Sequence, residues 1–392
     1  MGVKTGLDVW AAQEFRALRG QRVGAIVNPT SVDARFQHLA DLLTEARDVS
    51  LCALFGPEHG VRGEAQYMEA VGAAMDARTG VAVHSLYGKS FESLRPRPEW
   101  LSGLDVVLFD VQDVGARYYT YLATMALAME ACAKAQVAFV VLDRPNPLGG
   151  LLVEGNHVGA AFRSFVGLYD VPARHGMTAG ELALLLEAEQ RWGVELTVVP
   201  CEGWTRDMAF GDTGLHFVPP SPNMPTVDTA RVYPGMCLLE GTNLSEGRGT
   251  CRPFEQFGAP WLEAEALARA LDALGLPGLA VRPVHFTPTF DKHRGASCAG
   301  AFLHVVDRAA FRPVRTGLAA VVAARALARA DFAWRSDAYE FVSDRSAFDL
   351  LCGTDAIRLL VEDGAPFAEV ARLLDGASDA FQERRRPYLL YA

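Results

Sequence analysis

The sequence predicts an α/β fold, a doubly wound and mostly parallel sheet followed by a smaller α+β part. Three observations carry this. Short apolar runs alternate with segments of helical spacing through the first two-thirds of the chain. The run Asp105–Asp110 (DVVLFD) is continuously apolar, as a strand covered on both faces should be. Polar, glycine-rich loops follow several of these runs, at the carboxyl ends where such sheets bind ligands.

The elements follow in order. Arg22–Asn28 (RVGAIVN) reads as a strand stopped by Pro29-Thr30. Asp33–Ala46 has helical spacing, with Leu39, Leu42 and Leu43 on one face. Val49–Phe55, Val81–Tyr87 and Asp105–Asp110 are the next three strands. Tyr119–Lys134, rich in Ala, Leu and Met, is a helix, and Val137–Leu142 (VAFVVL) is a fifth strand. Thr178-Ala-Gly-Glu181 is a capping box that opens a helix to Trp192. Glu195–Pro200 is a further strand, and Pro234–Thr242 (PGMCLLEGT) reads as one more buried strand after a proline-rich stretch from Pro219. From residue 262 the character changes. Leu262–Leu274 is a helix, Leu279–Phe286 and Ala299–Val306 form a strand pair, and Leu318–Ala330 and Phe367–Phe381 are Ala-rich helices. The expected division is therefore residues 1–261 and 262–392.

The composition narrows the function. With 392 residues, 50% of them hydrophobic and 21% charged, the chain can bury a large core. A net charge of −10 offers no basic stripe for phosphates, so nucleic acid is not an expected partner. No apolar run is long enough to span a bilayer. Met1–Trp10 lacks an apolar signal core, and Gly6 stands where a myristoylation site wants Ser or Thr, so a cytoplasmic location is expected. Seven scattered cysteines without a CxxC pair fit reduced thiols better than a disulfide framework or a zinc cluster. A homodimer is left open.

The chemistry concentrates in the loops. Gly56-Pro57-Glu58-His59-Gly60, continuing through Arg62 to Glu64, places a carboxylate beside an imidazole in a tight turn, a pairing suited to proton transfer. Asp110 to Tyr121 carries Gln112, Asp113, Arg117, Tyr118, Tyr119 and Tyr121, and Asp143 to Gly150 carries Arg144 and Asn146. Asn243 to Thr250 carries Glu246 and Arg248. The first three loops follow neighbouring strands and should meet on one rim. Each residue also has an ordinary structural use. Asp110 and Asp113 can cap the following helix, Asp143-Arg144 can pair across a turn, the tyrosines can be core, and Glu246–Arg248 can be a solvated pair. The phosphate-binding turns of dinucleotide and nucleotide enzymes and the serine-hydrolase elbow are absent from the sequence. His59, Asp110, Asp113 and Asp143 are metal-ligand types, but no metal-ligand spacing supports a site, so neither metal nor cofactor is expected.

Taken together, GPEHG at Gly56–Gly60, FDVQDVGARYYTY at Phe109–Tyr121, LDRPNPLGG at Leu142–Gly150, EGN at Glu154–Asn156, RHGMTAGELA at Arg174–Ala183, GTNLSEGRGT at Gly241–Thr250 and PFEQFGAPW at Pro253–Trp261 resemble the bacterial exo-β-N-acetylmuramidases, a glycoside hydrolase family once listed as a domain of unknown function. The resemblance spans nearly the whole chain. It implies a Rossmann-like catalytic domain, a smaller C-terminal domain with a cleft between them, and release of N-acetylmuramic acid from the non-reducing end of peptidoglycan fragments. The implied partner is a muropeptide or muramyl disaccharide.

On that reading two carboxyl groups must flank the bond. Glu58, with His59 beside it, is the expected general acid. Glu246 is the expected second carboxylate, with Asp113 and Glu255 in reserve, and a substrate acetamide acting as nucleophile is a third route. A carboxyl separation of about 5–5.5 Å would favour retention and roughly 6.5–9.5 Å inversion. The lactyl carboxylate of muramic acid calls for a guanidinium fork. Arg117 is the first choice, with Arg62, Arg144 and Arg248 as further candidates. Tyr118, Tyr119 and Tyr121 would wall the sugar, and Asn146, Asn156 and Asn243 would meet its polar groups. Thr289–His293 would complete the pocket wall. The competing readings are a non-catalytic binder of cell-wall fragments and a metal-dependent hydrolase.

Overall fold

The computed structural model describes residues 2–63 and 74–392; Glu64 lies outside the described residues. Among these, seven strands form the main sheet: β1 (Arg22–Val27), β2 (Ser50–Gly56), β3 (Ala74–Met75), β4 (Ala82–Ser85), β5 (Val106–Asp110), β6 (Ala138–Leu142) and β7 (Leu196–Val199). Their order is β3-β4-β2-β1-β5-β6-β7, with every pair parallel except β3–β4. Without the antiparallel edge, the six parallel strands run 3-2-1-4-5-6 in chain order, which is the doubly wound arrangement. The order reverses between β1 and β5, and Val27 pairs with Asp110 at the carboxyl end of that junction.

Both faces are covered, which is why the strands read as unbroken apolar runs. On one face Leu7 of helix α1 (Gly6–Ala12) and Leu39 and Leu43 of α2 (Leu39–Glu45) pack on Val23, Ala25, Val27, Leu54 and Leu108. After α3 (Pro98–Leu101), helices α4 (Tyr121–Ala135) and α5 (Ala179–Gln190) cover the other face, where Ile26, Phe55, Val107, Phe109 and Phe139 point. The capping box at Thr178 and Glu181 is formed as the sequence predicts.

The C-terminal part opens with α6 (Val227–Met236) and holds a three-stranded antiparallel sheet, β8 (Gln256–Ala259), β10 (Cys298–Val305) and β9 (Leu279–Phe286) in that spatial order. Helices α7 (Ala264–Asp272), α8 (Pro313–Leu327), α9 (Ala347–Cys352), α10 (Ala356–Asp363), α11 (Phe367–Ala371) and α12 (Ala377–Arg385) surround it. Helices α6 and α8 cross backbone to backbone. A Cβ at Gly235 would stand 1.7 Å from the Pro313 carbonyl oxygen, and one at Gly317 would stand 2.1 Å from that of Gly235. β8 lies before the expected division at 261/262 and is hydrogen-bonded to β10, which lies after it.

Three local readings need correction. Pro234–Thr242 is not a strand: α6 ends at Met236 and a 3₁₀ turn carries Cys237–Gly241. A short, uninterrupted apolar run does not distinguish a buried strand from a buried helix. The helix predicted from Asp33 starts at Leu39, because His38 caps it by accepting from the Ala40 NH. The helix predicted over Phe367–Phe381 breaks, with Gly376 at φ +87° separating α11 from α12.

Candidate active site

β2 delivers Glu58. The strand ends at Gly56, and the Gly60 NH donates to the Pro57 carbonyl at 3.0 Å, closing a turn with His59 at φ +75°. A residue with a side chain is strained there, a feature that gathers at functional sites. The turn aims Glu58 at the start of α4, where Thr120 Oγ1 donates to Glu58 Oε2 at 3.3 Å. His59 Nε2 lies 3.8 Å from Glu58 Oε1.

Glu58 and His59 line an inner cavity of about 570 Å³ with Tyr118, Tyr119, Tyr121, Tyr233, Glu240, Arg248, Tyr339 and Glu340. The tyrosines form the wall. Tyr119 meets Tyr121 edge-on at 4.9 Å and Tyr233 at 5.6 Å. Tyr121 donates to the Pro220 carbonyl at 2.6 Å and Tyr118 to that of Pro234. Glu240 and Arg248 also line an outer cavity of about 950 Å³, with Asn243, Glu246, Asp291, Lys292, His293 and Trp334. The Glu240–Arg248 pair is thus common to both linings.

The C-terminal part closes the inner cavity with a two-residue hairpin. Tyr339 and Val342 exchange backbone hydrogen bonds at 2.9 Å, with Glu340 at φ +46° and Phe341 at φ +69° between them. Such turns favour Asn and Gly, so Glu and Phe here are held by their contacts. Tyr87 of the N-terminal part donates to Glu340 Oε2 at 3.1 Å. Phe341 packs against Tyr87 and Phe165 at ring distances of 6.2 and 6.5 Å.

The charges are arranged in two groups. Burial raises Glu58 to about 8, with help from Glu340 and Glu240, and Arg248 and the Thr120 hydrogen bond only partly oppose this. Burial and the Glu240 charge raise Glu340 to about 7. Both carboxyls therefore carry protons in a neutral solution, Glu58 more fully. Glu246 behaves oppositely. Burial pushes it up, but Lys292 at 2.9 Å and Arg248 at 3.1 Å outweigh burial and hold it below its ordinary value. Glu240 accepts from Arg248 at 2.7 Å on one oxygen and from Tyr339 at 2.8 Å on the other.

The structure thus brings Glu58, His59, Tyr118, Tyr119, Tyr121 and Arg248 together, with Glu246 and Asn243 in the outer cavity. Lys292 and His293 of the Thr289–His293 segment join that outer wall. The other expected site residues lie outside both cavities, each for an identifiable reason. Arg117 is buried and donates to the carbonyls of Val171 (2.9 Å), Leu351 (2.6 Å) and Asn156 (3.4 Å). Arg62 pairs with Asp41 and Asp76. Arg144 pairs with Asp110 at 2.6 Å, and Gln112 donates to the carbonyls of Asp113 and Pro145; both line a separate crevice. Asn146 and Asn156 bind the backbone carbonyls of Met177 and Cys352. Asp113 accepts from the Gly115 NH at 2.6 Å and lies 3.5 Å from His175. Glu255 accepts from Thr229 at 2.7 Å.

Arg117→Met would strip donors from three carbonyls. The expected cost is about 1–3 kcal/mol of stability, read by urea unfolding. Sequence reasoning missed Glu240, Tyr339 and Glu340. Glu240 carried the same signal as Glu58, a carboxylate closing an apolar run, whereas Glu340 carried none.

Among the described residues no group of three His, Cys, Asp or Glu is arranged to hold a metal ion, and no helix is long and apolar enough to cross a membrane. The arrangement supplies a protonated carboxyl, a cation-paired carboxylate and an aromatic wall, which suits acid-assisted cleavage of a sugar acetal.

The comparisons agree with that chemistry. The N-terminal profile of the exo-β-N-acetylmuramidase NamZ family matches residues 23–228, and its C-terminal profile matches residues 231–391. A peptidoglycan β-N-acetylmuramidase NamZ of Bacillus subtilis (strain 168) is 46% identical over 389 residues, covering 99% of this chain and 91% of the relative. Two crystal structures of DUF1343-family proteins from Bacteroides fragilis NCTC 9343 superpose over 100% of this chain and 99% of theirs. Their TM-scores are 0.89 and 0.78, at 38% and 30% identity. The chain belongs to the exo-β-N-acetylmuramidase NamZ family.

Proposed function

We propose that this protein is a glycoside hydrolase that releases N-acetylmuramic acid from the non-reducing end of peptidoglycan fragments. The observation that carries the reading is Glu58, raised to about 8 by burial and aimed into a tyrosine-walled cavity. Glycosidic cleavage needs an acid still protonated at the working pH to supply the leaving oxygen. Glu58 fills that role, with Thr120 fixing one oxygen and His59 beside the other.

Glu240 takes the place first given to Glu246 as the second carboxylate. It lines both cavities, and its charge faces the positive charge that develops on the ring. Glu246, with both oxygens held by cations, fixes Arg248 and through it Glu240. The placement of the hairpin supports exo action. The Tyr339–Val342 hairpin puts Tyr339 and Glu340 on the wall of the cavity that Glu58 lines, as a pocket for a terminal sugar requires. The seven free cysteines suit a reducing cytoplasm.

The direct test is incubation with a muramyl-glucosamine disaccharide and with longer glycan chains. Free N-acetylmuramic acid as the sole early product is expected from both. Internal cleavage of the longer chains would overturn exo action, and tight binding without turnover would overturn the enzyme reading. Turnover should persist in chelator; its loss would point to a metal-dependent hydrolase.

A further inference from the structure

Arg335 begins the segment that carries Tyr339 and Glu340 into the inner cavity. It is half-buried on the wall of the outer one. Its NH donates to the Gly241 carbonyl at 2.9 Å, which ties it to the turn bearing Glu240. Its guanidinium lies over the Tyr339 ring, 5.2 Å from the ring centre. Among the described residues it makes no ion pair and no side-chain hydrogen bond. The other long cations of the two cavities are committed: Arg248 to Glu240 and Glu246, and Lys292 to Glu246 and the carbonyls of Leu239 and Leu244.

Apart from those committed cations, the outer cavity that Arg335 lines carries the acidic side chains of Glu240, Glu246, Asp291 and Asp337. A substrate bearing a carboxylate would be repelled there unless a cation received it. An arginine pre-set by an aromatic face presents its fork at little entropic cost. We infer that Arg335 receives the lactyl carboxylate of the muramyl sugar and so sets the preference for muramyl over glucosaminyl groups. This rests on the muramidase reading above, and it gives Arg335 the role that the sequence had assigned to Arg117.

The test compares the full-length protein with Arg335→Leu and Arg335→Lys on three chromogenic substrates. These are an N-acetylmuraminide with a free lactyl carboxylate, its lactyl methyl ester, and an N-acetylglucosaminide. Loss of a charge-assisted fork should raise KM for the free acid about 10- to 100-fold in the Leu variant. The ester should respond less than about 3-fold, kcat should change little, and Lys should recover part of the loss. Equal loss on acid and ester, or no loss on either, would overturn this role while wild-type turnover keeps the muramidase reading intact. Wild-type protein inactive on both muramyl substrates would overturn the muramidase reading and this role with it.

Discussion

Glu58→Gln is expected to abolish sugar release while leaving the protein folded. Glutamine keeps the shape and neutrality of the protonated acid, so the inner cavity survives and only the transferable proton is lost. General acid catalysis is worth about 10²–10⁴-fold, and kcat on a muraminide should fall by at least that range's lower end. The pH dependence has a definite sign. Glu58 works as its protonated form and sits at about 8, raised by burial from an ordinary 4.5. Wild-type kcat should therefore decline as pH rises through about 8. Stability follows the same proton. The folded state holds it more tightly than the unfolded chain, so this group's contribution is present below about pH 4.5 and is lost as pH climbs through about 8. The Gln variant escapes that loss and should melt above wild type at pH 9. Retention of wild-type turnover by Glu58→Gln would remove Glu58 from the chemistry.

Arg248→Met is expected to fail more broadly. Arg248 bridges Glu240 at 2.7 Å and Glu246 at 3.1 Å, and its guanidinium also lies 5.1 Å from the ring centre of Phe254. The three charged side chains are 15%, 11% and 2% exposed, so solvent compensates little for a lost partner. Removing one member of a buried ion pair costs about 3–5 kcal/mol, because the other charges stay buried without it. The variant should lose about that much in urea unfolding at neutral pH and should show no turnover. Arg248→Lys should recover little, since a point charge cannot reach both carboxylates as a fork does. A destabilisation below about 1 kcal/mol would mean that Lys292 and solvent already satisfy the pair.

The legible parts of the fold and site share a cause: they are local. Each parallel strand announces itself as an apolar run because α1 and α2 cover one face of the sheet and α4 and α5 the other. Glu58 and the three tyrosines were legible because they follow directly on β2 and β5. The expected site residues that lie outside the two cavities are held there by tertiary partners. Arg117 stands among cavity residues in sequence, yet three carbonyls, one of them from Leu351, claim its guanidinium. Glu340 and Arg335 reach the site only because the hairpin after Trp334 crosses to Tyr87, 253 residues from Glu340 in sequence. No spacing rule connects them. The Pro234–Thr242 run was misread for a third reason. Burial on all sides erases the periodicity that separates helix from strand.

Crystals soaked in N-acetylmuramic acid would test the site most directly. The sugar should occupy the space between Glu58 and the Glu240–Arg248 pair, with its anomeric oxygen about 3 Å from the Glu58 carboxyl. A sugar bound instead in the crevice beside Arg144 and Gln112, with Glu58 remote from it, would contradict the assignment.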